Sequence, residues 1–432
     1  MTIERTFAFA LLCVAGCSAH AVRVTPAAPV AQANTDSATR DPARFLEVFQ
    51  GESAPLVREG NYLAVLQLLD RLTPAPGASL QLRSLWGQYA GTYEQLLGED
   101  SVALQRFAIG RASPIAFDTA ALQRLKPMDA VTAVLAAARG RRAVFVNEAH
   151  HMPMHRAFTR RLLEPLYREG FRYLAVETLD TADKALNQRN YPVRGSGFYS
   201  NEPTFGAMLR TARQIGFTLV PYEHAAREQA ERERGQAANI ARIFARDSTA
   251  RVLVHAGYSH IDESGKLGGA DPMAVQFRGM TGIDPLTVDQ TVLSDMGEPR
   301  LLDARYPVLT AAFHPTMPVA LANGDSLWSA KPGVHDVTVL QPRVAYREGR
   351  PTWRWAPGVR ALRLAADVCG PKTDECVVTA RIASEAPDAI PVDVLRIGPG
   401  RSRTLLLPTG FYTISVRNAE NVETARWPAS VP

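Results

Sequence analysis

The chain has 432 residues, long enough for two or three domains with ordinary buried cores. Its 48 lysines and arginines outnumber its 43 aspartates and glutamates, for a formal net charge of +5, and only five of the basic residues are lysines. The arginines are spread along the whole chain with no basic block, which excludes nucleic acid as the expected partner.

Residues 1–17 open the chain with a short polar start containing Arg5, then the apolar run Phe7–Gly16. That run is too short to span a bilayer as a helix and reads as a cleaved export signal. Its end, Val14-Ala15-Gly16-Cys17, resembles the bacterial lipobox, which implies lipidation of Cys17. The alternative is an ordinary signal peptide cut after a later small residue. Ser18 follows the cysteine in place of an aspartate, which by the same resemblance implies an outer-membrane lipoprotein facing the periplasm. Residues 18–41, mostly Ala, Pro, Thr, Val and Gln without periodicity, are expected to be a flexible tether.

Residues 42–116 carry apolar stripes at helical spacing, such as Phe45, Val48 and Phe49, or Leu63, Leu66 and Leu69, and predict a small helical module. Residues 117–300 alternate short apolar strands with amphipathic helices. The strands are Arg142–Val146, Arg172–Val176, Phe217–Pro221 and Arg251–Val254. Nearly continuous apolar strands separated by helices predict a mostly parallel sheet covered on both faces. Residues 301–348 read as a connecting segment, with one strand candidate at Asp336–Leu340. Residues 349–432 are richer in Pro, Gly and β-formers and predict a small antiparallel β domain. The predicted fold class is therefore α/β, a mostly parallel sheet with flanking helices between a helical module and a β-rich tail. Cys369 and Cys376 flank a Gly-Pro-Lys-Thr stretch and suit a small disulfide loop in an oxidising compartment. Two free thiols are the alternative, and a zinc site lacks a nearby third ligand.

The residues at the end of each core strand carry the chemistry. The first strand leads into Asn147-Glu148-Ala149-His150-His151, the second ends on Glu177, the third on Glu223-His224 and the fourth on Gly257-Tyr258-Ser259-His260. In a parallel sheet these ends share one edge, outside which ligand crevices form. Six of the nine histidines fall between residues 150 and 260. Such a cluster can hold a divalent metal, with Glu148, His150 and His260 as the ligand set, or work as coupled acid and base. On an extended backbone His150 and His151 cannot both enter one site. His255 reads as a satisfied core histidine and His224 as a surface residue. The glycine-punctuated loop Arg194–Asn201 is either a lid or a plain surface loop.

The stretch Val144–Glu177, with the later Gly257-Tyr258-Ser259-His260, resembles the superfamily that joins erythromycin esterases, ChaN-type haem-binding lipoproteins and Tiki-type metalloproteases. Its pattern is a strand leading to Gly-Glu-x-His or Gly-Glu-x-x-His, a helix, a strand ending in Glu, and a later Gly-x-x-His. The match spans roughly residues 140–290, and Asn147 stands where the first glycine is expected. His150 fits the shorter spacing and His151 the longer. The resemblance implies catalytic roles for Glu148, His150, His151, Arg160, Glu177 and His260, with Arg160 holding a carboxylate or an oxyanion. It implies equally a binding role in which His155 or Tyr258, with Glu223 at the same edge, meets haem or another iron-containing ligand. The expected function is ligand binding by an envelope lipoprotein, with a metal-dependent or His/Glu-based hydrolase of ester or peptide bonds as the alternative. The expected partners are the membrane, through Cys17, and a small-molecule ligand or substrate.

Overall fold

The computed structural model describes residues 33–432 except 111, 371–374, 399–400 and 402. Cys17 and most of the expected tether lie outside the described residues. The tether's last part is helical: α1 (Ala33–Ala38) packs Ala38 into the helical module.

The module itself follows the apolar stripes. It comprises α2 (Pro42–Glu59), α3 (Tyr62–Arg71), α4 (Leu80–Leu96) and α5 (Asp100–Phe107). Side-chain caps set three of its starts, Asp41 accepting from Arg44 N–H, Asn61 from Ala64 N–H and Ser79 from Leu82 N–H. Phe45, Phe49, Leu66, Leu69 and Tyr93 fill its core.

The α/β core begins with α6 (Thr119–Gln123), β1 (Lys126–Asp129), α7 (Ala130–Ala137) and β2 (Ala143–Glu148). It continues with α8 (Pro153–Arg168), β3 (Tyr173–Val176), α9 (Leu186–Arg189), α10 (Pro203–Ile215) and β4 (Thr218–Pro221). Then come α11 (Gln229–Arg246), β5 (Val252–Gly257), α12 (Met273–Thr281) and β6 (Leu286–Asp289). The expected connection 301–348 is corrected by the structure. It supplies α13 (Arg305–Phe313), β7 (Val319–Asn323), β8 (Ser326–Leu327) and β9 (Val337–Leu340), and these strands belong to the same sheet. The sheet order is β1-β7-β9-β6-β2-β5-β3-β4, with β8 paired to β7. The run from β9 to β4 is parallel, while β7 and β1 form an antiparallel edge.

Strand alternation sorts the core onto two faces. Val144, Val146, Leu174, Val176 and Leu253 meet α7, α8 and α10 on one face. Phe145, Ala175, Val252 and Val254 meet α11 and α12 on the other. Parity then continues past the apolar stretch. Glu148 falls on the α8 face with Val144 and Val146, and Glu177 on the α11 face with Ala175.

The tail forms a hairpin of β10 (Tyr346–Arg347) and β11 (Arg350–Pro351), followed by β12 (Val359–Arg363), β13 (Cys376–Ile382), β14 (Asp393–Ile397), β15 (Thr404–Pro408), β16 (Gly410–Arg417) and β17 (Glu423–Val431). The last six form two antiparallel sheets, β12-β15 and β14-β13-β16-β17, over one apolar core. β17 alternates half-buried and exposed positions regularly, but its sequence carries Glu, Arg, Pro and Ser among few apolar residues, so no strand pattern shows in the residues alone. Arg396 of β14 pairs with Glu94 of α4 at 3.1 Å, and its N–H donates to Leu97 O at 3.1 Å. The helical module therefore rests on the tail as well as on the core.

Cys369 and Cys376 are disulfide-bonded. Closing so short a loop constrains the unfolded chain by about 2–3 kcal/mol. Cys369→Ser/Cys376→Ser is expected to lower the unfolding free energy by about that amount, measured by denaturant titration. An unchanged midpoint would show that the bridge contributes nothing to stability.

Candidate active site

Two carboxylate–arginine units stand at the carboxyl edge of the sheet, one on each face. On the α8 face, Glu148 ends β2 fully buried. Its Oε2 accepts from Arg156 Nε at 2.7 Å, and its Oε1 from Arg156 Nη2 at 2.8 Å. His150 Nδ1 lies 2.7 Å from Oε1 and His255 Nε2 2.8 Å from Oε2. Burial alone would raise the Glu148 pKa, but Arg156 and His255 hold it well below the ordinary carboxylate range. Arg156 continues to Glu202, which caps α10 through Phe205 N–H. Glu202 pairs in turn with Arg354 of the tail, and Arg354 with Asp100 of α5. One buried charge network thus joins all three parts of the chain to Glu148.

On the α11 face, Glu177 Oε1 accepts from Arg232 Nη2 at 2.7 Å, and Oε2 accepts from Gly257 N–H. Arg232 also holds Glu223, at 2.9 Å. His260 Nδ1 lies 2.7 Å from Glu233, and its Nε2 lies 2.9 Å from Arg232 Nη1 and 3.5 Å from Glu177. Burial opposes ionisation of Glu177, yet His260 and Arg232 bring its pKa down to about 2.

The two units meet at Gly257. A Cβ there would collide with His150 Nε2 and sit 3.1 Å from Glu177 Oε2. Glycine is required at this strand end because an imidazole and a carboxylate together occupy the space that a Cβ would fill.

His150 and His151 both enter. The chain turns at residues 149–151, so they are not on extended backbone, and their rings flank Tyr258. His150 stacks on Tyr199 at 4.0 Å and His151 on Phe107 at 3.7 Å. The Tyr258 hydroxyl lies 3.2 Å from His151 Nδ1. Burial, reinforced by His155 and His150, lowers the His151 pKa well below its ordinary value. Both Nε2 atoms are buried without a hydrogen-bond partner among the described residues. With Nδ1 on the ionised Glu148, the neutral His150 ring presents Nε2 as an acceptor.

Several expected roles are corrected. Arg160 is exposed and bonded to Thr211 at 2.8 Å. α8 runs away from the sheet edge, so each turn carries a side chain about 5.4 Å further off, and Arg156 one turn earlier takes the place. His155 is no free ligand: Nδ1 accepts from Ala149 N–H at 3.0 Å, Nε2 donates to Ser294, and Ser294 donates to Gln290 O. The Tyr258 hydroxyl is likewise engaged, so neither fits as an axial haem ligand. Among the described residues no three His, Cys, Asp or Glu side chains are arranged to hold a metal ion. The set Glu148, His150 and His260 is therefore not assembled; the first is saturated by Arg156 and the last by Glu233 and Arg232. His255 is a bonded partner of Glu148 and more than a core histidine, whereas His224 is half-buried against Gly235 and faces Glu231 at 3.9 Å, away from Glu148.

Asn147 explains itself. Its Nδ2 donates to Asp289 at 2.8 Å and to Tyr258 O at 3.0 Å, and its Oδ1 accepts from Gln290 N–H. It ties β2 to β6 and to the turn after β5, a role glycine cannot fill. The loop Arg194–Asn201 lays Tyr199 over His150, so it covers the site. Gly197, at φ +153°, permits this because a Cβ there would strike the Thr178 carbonyl.

His155 supplies a pH prediction. Burial pushes its pKa from 6.5 down to about 3, so the folded protein holds it neutral while the unfolded chain protonates it near 6.5. Stability is then full above about pH 6.5 and is lost as pH falls toward 3, by up to about 1.4 kcal/mol per pH unit. His155→Asn is expected to flatten unfolding free energy between pH 7 and 5. An unchanged slope in that variant would assign the effect elsewhere.

No protein-family model matches the chain, and no curated protein matches it. Among solved structures it is similar to the type III effector HopBA1, with 12% identity over 51% of this chain and 97% of that one and a TM-score of 0.33. It is also similar to a structure described as bacterial protein toxins, with 13% identity, 53% and 56% coverage and a TM-score of 0.29. A third is RRSP, a MARTX toxin effector domain from Vibrio vulnificus CMCP6, with 17% identity, 58% and 59% coverage and a TM-score of 0.27. The chain spans under two thirds of the latter two. At these scores the likenesses carry no argument about this site.

Proposed function

We propose that the protein is a hydrolase of ester or peptide bonds, held at the cell envelope through a lipid on Cys17, with His150 as general base. The observation that carries this reading is the Glu148–His150 pair. Nδ1 is fixed on an ionised, Arg156-held carboxylate, and Nε2 is left as an unpartnered acceptor beside Glu177.

In this mechanism His150 Nε2 takes a proton from water as the water oxygen bonds to the acyl carbon. The mechanism takes His151 as the neutral tautomer whose Nδ1 accepts from the Tyr258 hydroxyl, so that its Nε2–H donates to the oxyanion. Collapse breaks the bond to the leaving group, which takes the proton back from His150. Tyr199 and Phe107 cover the two rings and must move aside for substrate to enter. The resemblance to the esterase and metalloprotease superfamily supports the same chemistry, and the disulfide suits an oxidising compartment.

The haem-binding reading is the weaker one, since His155 and Tyr258 are both engaged. The test is turnover of a panel of nitrophenyl esters and fluorogenic peptides by the wild-type protein and by His150→Gln. Turnover lost in the variant supports the reading. No turnover of any substrate, or equal turnover in both proteins, ends it.

A further inference from the structure

A cavity of about 220 Å³ lies between the helical module, the Arg194–Asn201 loop and the tail. Its walls come from the α2–α3 corner, the end of α4, the start of the loop, β13 and the end of β16. Three arginines from separate parts of the fold line it: Arg194, Arg381 and Arg417. Two acids, Glu59 and Asp388, also line it, and both are exposed.

The arginines are only partly spent. Arg381 Nε donates to Ala389 O at 3.0 Å and Nη1 to Thr379 Oγ1 at 2.7 Å, while Nη2 has no hydrogen-bond partner among the described residues. Arg417 Nη1 donates to Asn421 O at 2.7 Å, and its carboxylate partner Glu423 stands off at 3.7 Å and is shared with Arg426. Arg194 makes a long contact, 3.5 Å, to Arg58 O. Burial, and then repulsion from Arg417 and Arg194, lower the Arg381 pKa to about 10, with the half-buried Glu423 offsetting only part of that effect. Gathering three guanidinium groups without a buried carboxylate is costly, and an oxyanion between them would relieve that cost through charge-assisted hydrogen bonds. Asn61, Asn201 and Thr379 add neutral polar groups to the same wall.

We propose that this cavity is an anion site, separate from the buried His150–Glu148 pair, taking a small molecule with a phosphate or carboxylate head. Arg381 at the back receives the head, and Arg194 and Arg417 close on it from the loop and from β16. The inference does not depend on the hydrolase reading.

The test is calorimetric titration of the full chain with inorganic phosphate and, separately, with succinate, at fixed ionic strength. Saturable binding of either anion is expected, and the preferred one identifies the head group. Arg381→Gln, Arg417→Gln and Arg194→Gln should each weaken it about tenfold or more, while His150→Gln leaves it unchanged. Arg381→Gln also loses structural hydrogen bonds, so the partly exposed Arg417 and Arg194 keep the test decisive if that variant fails to fold. Absence of saturable binding for both anions overturns the proposal. So does binding that survives Arg417→Gln and Arg194→Gln, or that disappears in His150→Gln.

Discussion

Replacing Arg156 by methionine is expected to lower the unfolding free energy by about 3–5 kcal/mol. The side chain is fully buried, and its guanidinium is the shared cation of two buried carboxylates, Glu148 and Glu202. Methionine fills much of the same space, so lost packing is a small part of the cost. The larger part is two carboxylates left in a low-dielectric interior, with only His255, His150 and Arg354 to compensate them. Arg156→Lys should recover little, because one ammonium cannot reproduce the fork on Glu148 while reaching His150 O and Glu202. Chemical denaturation of the variant and of Arg156→Met/Glu148→Gln decides the matter. Neutralising Glu148 should restore part of the loss, and a double variant as unstable as the sum of the singles would contradict the shared-charge account.

The second large effect is on turnover. His150→Gln and Glu148→Gln should each reduce kcat by about 10²–10⁴-fold, the usual weight of a positioned general base. The two reductions should not add. Glu148 acts on the reaction through His150 Nδ1, so once the imidazole is gone its carboxylate has nothing left to orient. Glu148→Gln will also cost stability through Arg156, whereas His150→Gln, at the end of the network, should leave folding nearly intact. Multiplicative losses in the double variant would mean that Glu148 touches the substrate independently.

Much of the edge was legible in the residues. Apolar strands with polar ends gave β2 to β5, and the order of Glu148, His150, Glu177 and His260 along them placed all four at one rim. What the sequence concealed was the partner of each charge. Arg156 and Arg160 sit four apart on the same helix face, and only the depth of α8 along the sheet decides which reaches Glu148. Arg232 and Glu233 lie in the strongly charged run Glu231–Arg234, which reads as a solvated surface, yet both are buried against the rim. Strand parity was a usable signal, since it put Glu148 and Glu177 on opposite faces and so required a separate cation for each. β7 and β8 were hidden by their antiparallel, Pro- and Gly-rich setting, whereas β9 was legible, because Val337–Leu340 has the continuous apolar character of a covered strand.

The contact between Asn61 and Ala419 joins residues 358 apart, and Val377 and Ala419 pack on the helical module's core. The chain is thus closed on itself, its first folded part resting on its last. A chain emerging from its amino end can assemble the helices early, but their resting surface does not exist until the final strands have appeared. Until then an apolar face of the module stays open to water and to other chains. Completion is a late, long-range event, slow for the same loop-closure reason that slows any fold rich in distant pairings. Truncation at β17 would therefore be felt at the opposite end of the sequence, in helices translated some 360 residues earlier.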